Sequence, residues 1–224
     1  MHHAKIRPPA DAKRARGLFL DLDGTLADSL TSLKELYFSF LAELGAQGSE
    51  DEFQALNGPP LRRVVESLKQ NHSLPGELSD LIEGYMVRLN DAHKRAPPTE
   101  GARSAIQWAR ERGWRVAVVT SSPRAAAVAW LRRNSLVELI DSVVGGDEVA
   151  RGKPAPEPYC LALARTGCAC STSIAVEDSS AGARAAVAAG LTTFVLGRRV
   201  DRTDWPKDVS FIEGFADLKK ELGR

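Results

Sequence analysis

The chain is poor in cysteine, with three in 224 residues, and three thiols cannot all pair with one another. Cys168 and Cys170 stand one residue apart, and no second Cys/His pair completes a zinc set. The expectation is a cytoplasmic chain with reduced, incidental thiols. An excess of either charge is also missing: 30 Lys+Arg meet 29 Asp+Glu, for a net charge of +1. That balance argues against a nucleic-acid partner, which usually needs a basic face. No run approaches about 18 uninterrupted apolar residues, so no membrane span is expected. Residues 1–16 carry Lys5, Arg7, Lys13, Arg14 and Arg16. No signal-like apolar core follows them, and Pro8-Pro9 would break the helix that a transit peptide needs, so the segment reads as a basic tail. What is present is 43 % hydrophobic residues, enough for a core in a chain this long and far from a disordered composition.

Five short apolar, β-branched runs stand out: Leu18–Asp23, Arg115–Thr120, Ser142–Val144, Ser173–Glu177 and Thr192–Leu196. Strands covered on both faces read this way, as in a parallel sheet. Helical patterns separate them, over Ala102–Arg112, Ala125–Arg133, Pro156–Arg165 and Ser180–Ala189, with Phe215–Leu222 at the end. Such alternation predicts an α/β fold, a Rossmann-like parallel sheet with right-handed crossovers. Between Ser29 and about Arg95 the alternation stops. Leu30, Leu33, Tyr37, Phe40, Leu41 and Leu44 recur at steps of three and four; Leu61, Val64, Val65 and Leu68 form a second stripe, and Leu78, Leu81, Ile82, Tyr85 and Leu89 a third. Three or four amphipathic helices can bury these faces on one another. The expected division is a core of residues 17–28 and 97–224 with a helical cap, residues 29–96, inserted after the first strand.

Ligands of open α/β sheets bind at the carboxyl ends of the strands. Asp21 and Asp23 end the first run, Thr120, Ser121 and Ser122 the second, Lys153 follows the third, and Glu177-Asp178 ends the fourth. Carboxylates gathered at one edge repel one another unless a cation joins them, and an all-oxygen set suits Mg²⁺. Hydroxyls and a lysine beside such a metal suit a phosphate. Asp-x-Asp-Gly also opens a calcium loop, but that loop needs an acid at its twelfth position, and the twelfth residue from Asp21 is Ser32. The combination reads as a phosphoryl-transfer site.

Asp21-Leu22-Asp23-Gly24-Thr25-Leu26-Ala27-Asp28-Ser29 resembles the first motif of the haloacid dehalogenase superfamily. Thr120 fits the second motif, Lys153-Pro154-Ala155-Pro156 the third and Glu177-Asp178-Ser179-Ser180-Ala181-Gly182 the fourth. The branch it is most similar to holds phosphoglycolate phosphatases, small sugar-phosphate phosphatases and β-phosphoglucomutase. The resemblance implies a phosphatase acting on a small phosphorylated metabolite through an aspartyl-phosphate. Asp21 would be the nucleophile and Asp23 the acid and base. Thr120 and Lys153 would hold the phosphoryl oxygens. Asp21, the backbone carbonyl of Asp23, Asp178 and, directly or through water, Glu177 would bind Mg²⁺.

Residue 23 separates reactions within the superfamily. Relatives of the dehalogenase type lack an acid there, and phosphonate hydrolases carry a small residue, whereas an alkoxide leaving group needs the proton that Asp23 can give. The mutases carry a histidine twelve residues after the nucleophile; here that position is Leu33, which favours hydrolysis over a mutase. A silent binding module on the same fold is the rival from another class. Ser121, Arg62 beside Arg63, and Arg124 are further candidates for substrate contact. His72 and His93 read as surface residues on polar helix faces, and Trp108, Trp114 and Trp130 as packing.

Overall fold

The computed structural model describes residues 15–197 and 205–223, so the basic segment up to residue 14 lies outside the described residues. Strand β1 (Gly17–Leu20) is followed by α1 (Leu30–Glu43), α2 (Glu50–Ala55), α3 (Leu61–His72) and α4 (Leu78–Arg95). The chain then runs α5 (Ala102–Glu111), β2 (Arg115–Val119), α6 (Arg124–Arg133), β3 (Ser142–Val144) and α7 (Glu157–Thr166). It closes with β4 (Ile174–Glu177), α8 (Ser180–Ala188), β5 (Thr192–Leu196), β6 (Val209–Ile212) and α9 (Phe215–Leu222). The six strands form one sheet in the order β3-β2-β1-β4-β5-β6, and every pairing is parallel.

Side chains alternate across a strand, so each strand feeds two cores. Leu18, Leu20, Val116, Val118 and Val176 pack with Ile106, Trp130 and Phe215 of α5, α6 and α9. Phe19, Ala117, Val119 and Ala175 pack with Tyr159 of α7 and Ala185 and Ala186 of α8. Both faces are covered, which is why β1 to β5 read as continuous apolar runs. The sixth strand escaped the sequence reading because it lies at the edge: Val-Ser-Phe-Ile has one strand neighbour, and only Ile212 is buried.

Helices α1 to α4 build a separate apolar cluster from Leu36, Tyr37, Phe40, Val65, Leu68 and Leu81. The short α2 gave no stripe because Phe53 is its one buried residue; its signal is polar. Ser49 caps it by accepting from Glu52 N, and Glu50, Asp51 and Glu52 fill the first turn, where carboxylates oppose the helix dipole. The two chain crossings between this bundle and the sheet lie side by side. Ala27 and Pro98 form an antiparallel bridge, Asp28 N donates to Pro97 O at 2.9 Å and Thr99 N to Leu26 O at 3.0 Å. The fully buried Trp130 donates from Nε1 to Ala96 O at 2.9 Å. No helix among the described residues is long and apolar enough to cross a membrane, and the three cysteines are free.

Candidate active site

In this strand order the crossovers diverge on either side of the β1/β4 pair, which opens a crevice at the carboxyl ends of those strands. Asp21 follows β1 and is tied to β4 by its backbone N–H, which donates to Val176 O at 3.0 Å. Glu177 is the last residue of β4 and Asp178 the next. Carboxylate oxygens of Asp21, Glu177 and Asp178 all lie within 4.8 Å of one another. Lys153, 3 % exposed, reaches in from the segment after β3. Its Nζ donates to Asp21 Oδ1 and Glu177 Oε1, both at 2.5 Å, and to Val119 O at 2.9 Å. All three ammonium protons are thereby engaged, so Lys153 braces the acids from behind. Tyr159 Oη donates to Glu177 Oε1 at 2.5 Å.

One ammonium does not neutralise three carboxylates. Burial first, and then the neighbouring Glu177 and Asp178, push Asp21 well above the usual carboxylate range in spite of Lys153. Burial and Glu177 push Asp178 up to about 7. An acidic set held this far from its ordinary range can take a divalent cation, whose charge relieves both effects. The backbone leaves room for the carboxylates themselves. Gly24 has φ +79°, and a Cβ there would stand 2.1 Å from Asp178 Oδ2; a Cβ on Gly182 would stand 2.0 Å from Glu177 Oε2.

Asp23 is held separately. Its Oδ1 accepts from Ser29 Oγ at 2.8 Å and its Oδ2 from Ser122 Oγ at 2.9 Å. His93 Nε2 lies 2.7 Å from Oδ1, and a carboxylate can only accept, so the imidazole donates. Burial pushes Asp23 up, but the His93 charge and the three side-chain hydrogen bonds outweigh it and hold the carboxyl below its ordinary value. Burial conversely lowers His93, and Asp23 more than offsets that, leaving the imidazole raised.

The reading of His93 as a surface residue is corrected here: it is 3 % exposed. A signal was available, because Tyr85, Leu89 and His93 continue the buried stripe of α4 in steps of four. His72 is corrected too. It is only partly exposed and lies 2.7 Å from Glu52 Oε2. Ser29 closes the first motif and Ser122 ends the second strand run, and the structure adds that both donate to Asp23.

Thr120 is buried, accepts from Ser122 N at 3.0 Å through Oγ1, and lines the cleft with Asp21 and Asp23. Ser121 lines it as well and donates from Oγ to Gly58 O at 2.5 Å. Asn57 Nδ2 donates to Asp178 Oδ2 at 3.0 Å, so the loop after α2 closes over the sheet edge. The structure brings neither Arg62 nor Arg124 to this cleft. Arg62 is largely exposed and pairs with Glu66, and Arg124 pairs with Glu148. Trp130 and Trp114 are buried, as packing residues.

A doubly wound parallel sheet with clustered acids, a buried lysine and hydroxyls at its crevice defines an α/β enzyme built to handle a charged group. The family described as haloacid dehalogenase-like hydrolase matches residues 18–196. The chain belongs to that family. It is 30 % identical over 179 residues to a phosphorylated carbohydrates phosphatase of Thermotoga maritima, covering 78 % of this chain and 81 % of that one. It is 31 % identical over 180 residues to a plasmid phosphoglycolate phosphatase of Cupriavidus necator, covering 78 % and 77 %. Among solved structures, CbbY from Rhodobacter sphaeroides in complex with phosphate superposes with a TM-score of 0.79 at 25 % identity, covering 91 % and 96 % of the two chains. A β-phosphoglucomutase from Clostridium difficile shares the fold, with a TM-score of 0.80 at 16 % identity over 93 % and 95 %.

Proposed function

We propose that this phosphatase of the haloacid dehalogenase-like family is a Mg²⁺-dependent cytoplasmic enzyme. It hydrolyses a small phosphate monoester of the sugar-phosphate or phosphoglycolate type through a phosphorylated Asp21. The observation that carries the reading is the unequal treatment of two acids two residues apart. Asp21 is joined to Lys153 and the cation-binding cluster, while Asp23 sits in its own cradle of Ser29, Ser122 and His93. A carboxylate joined to the cation-binding cluster, where a cation would keep it ionised, and a second acid held apart by its own hydrogen bonds can divide the work of nucleophile and proton carrier.

An Asp21 oxygen attacks phosphorus, and the bond from phosphorus to the substrate's alcohol oxygen breaks. Asp23 gives that oxygen a proton, drawn from the Asp23–His93 pair. Water then attacks the phosphorylated Asp21, Asp23 takes a proton from it, and inorganic phosphate leaves. Thr120 is free to donate its hydroxyl proton to a phosphoryl oxygen. Lys153 keeps the nucleophile aimed. Asp21, Asp178, the backbone carbonyl of Asp23 and, directly or through water, Glu177 would hold Mg²⁺, which supplies positive charge against the phosphoryl oxygens. Helices α1 to α4 act as the cap, with Asn57 and Gly58 at its closing edge.

Release of phosphate from an aryl phosphate separates this reading from a silent binding module, which would release none. One observation favours a phosphomutase as the second reading. Leu33 lines the cleft and offers no proton chemistry, yet a histidine does reach Asp23, from the end of α4. Supplying β-glucose 1-phosphate with a catalytic amount of the 1,6-bisphosphate decides between them. Free phosphate forming faster than glucose 6-phosphate is the expected result.

His93→Ala should lower kcat between about 10- and 100-fold with little change in KM, because a misplaced acid costs rate more than binding. His93→Gln, which keeps a donor to Asp23, should recover part of the loss. Steady-state kinetics on an alkyl phosphate check this, and an unchanged kcat in His93→Ala would remove the histidine from the mechanism.

A further inference from the structure

The loop between α2 and α3 is where the helical bundle reaches the acids. Asn57 Nδ2 donates to Asp178 Oδ2 at 3.0 Å, across 121 residues of chain. One residue on, Gly58 O accepts from Ser121 Oγ at 2.5 Å. Gly58 lies so close to the start of α8 that a Cβ there would stand 2.8 Å from Ser179 Oγ and 3.1 Å from Ala181 Cβ. Pro60 lies against the segment before Lys153, since a Cβ on Gly152 would stand 2.3 Å from Pro60 Cγ. Residues 57–60 thus rest on the three core segments that carry Thr120, Lys153 and Asp178.

We propose that Asn57 is a positioning residue for the cation. Its amide holds Asp178 in place for Mg²⁺, and through the same bond the docking of the loop and the binding of the cation favour one another. The proposal rests on the assignment of Asp21, Glu177 and Asp178 to a cation. It goes beyond that assignment by bringing a residue of the helical bundle into the site.

Two of the three acids are braced from the core. Lys153 holds Asp21, and Lys153 and Tyr159 hold Glu177. Asp178 is braced from the helical side instead, by Asn57. A carboxylate loses rotational freedom when it takes up a metal, and a hydrogen bond from outside the ligand set removes that freedom in advance. An amide suits the task. It is neutral, so it does not oppose a cation as a lysine or arginine would, and it engages one lone pair of a group that has about four. Coupling of this kind is reciprocal: the factor by which the docked loop raises cation affinity is the factor by which the cation favours the docked loop. The bundle then closes best over a site that is ready to react.

Two measurements on the full chain, without substrate, test this. The first reads Mg²⁺ affinity from the rise of the thermal-unfolding midpoint over a Mg²⁺ series, with each chain's midpoint in excess chelator as its own baseline. Any loss of stability unrelated to the cation then cancels. Asn57→Ala should bind Mg²⁺ about tenfold more weakly than the wild type, the scale of effect when an outer hydrogen bond to a metal ligand is removed. The second follows backbone hydrogen exchange over residues 53–64. Mg²⁺ should slow it in the wild type and slow it much less in Asn57→Ala.

Equal or tighter Mg²⁺ binding in Asn57→Ala overturns the proposal and leaves the cation site standing. Loop exchange indifferent to Mg²⁺ in the wild type does the same, and needs no variant. A wild-type midpoint that does not respond to Mg²⁺ at all overturns the cation assignment and this proposal with it.

Discussion

Asp21→Asn should retain less than about a thousandth of wild-type turnover, the scale of loss when an essential member of a catalytic unit is removed. An amide is a poor nucleophile toward phosphorus and a weak cation ligand. The chain should nevertheless fold. Asp21 is pushed toward its neutral form by burial and by Glu177 and Asp178, so a neutral isostere relieves repulsion in the cluster. The Asn carbonyl can still accept from Lys153. The midpoint of urea unfolding should therefore equal or exceed that of the wild type while phosphate release vanishes. A variant with even a tenth of normal activity would show that another group attacks phosphorus.

Removing divalent metal should be equally severe. A strong chelator is expected to abolish turnover, Mg²⁺ to restore it, and Ca²⁺ to fail. Ca²⁺ accepts more ligands at looser geometry and can take both oxygens of Asp21, spoiling the line of attack. Cation binding to the cluster of Asp21, Glu177 and Asp178 adds a second readout independent of chemistry. A cation that binds the folded acids and not the unfolded chain stabilises by mass action, about 2.7 kcal/mol at a hundred times its Kd. Thermal unfolding should move upward with Mg²⁺ in the wild type and much less in Asp178→Asn. Full activity in excess chelator, or a melting curve indifferent to Mg²⁺, would contradict the assignment of these acids to a cation.

The sheet was legible because its strands are buried on both faces, and burial on both faces leaves an unbroken apolar record in Phe19, Val118 or Val176. The edge strand β6 carries no such record. Helix α2 is too short to repeat a stripe, and its polar cap was its only announcement. The acids at the strand ends could be found because the carboxyl ends of parallel strands are where such residues gather. Their partners were harder to find. His93 reaches Asp23 across a long stretch of chain, and nothing local in Asp91-Ala92-His93-Lys94 tells a buried imidazole from an exposed one. Only the four-residue step from Leu89 does. Arg62 and Arg124 were drawn in by charge and proximity in sequence. The acids their side chains pair with, Glu66 and Glu148, lie outside the cleft, and the direction of a side chain from a helix is set by packing that spacing alone does not record.

The paired crossings at Ala27 and Pro98 bear on how such an interrupted chain reaches its native state. Strand β1 must find β2 and β4 across long stretches of sequence, as Leu18 does with Val116 and Ile174. Closing a flexible loop costs more entropy the longer it is, though only about 0.6 kcal/mol for each doubling. Helix α4 packs on its neighbour α3 and, across the bundle, on α1, so the two ends of the insertion meet at that bridge. Once these helices have collapsed, the loop that β1 must close toward β2 is shortened to the two segments outside the bundle, one of which carries α5. The insertion therefore adds mass above the crevice while adding little to the chain-entropy barrier that the sheet has to overcome.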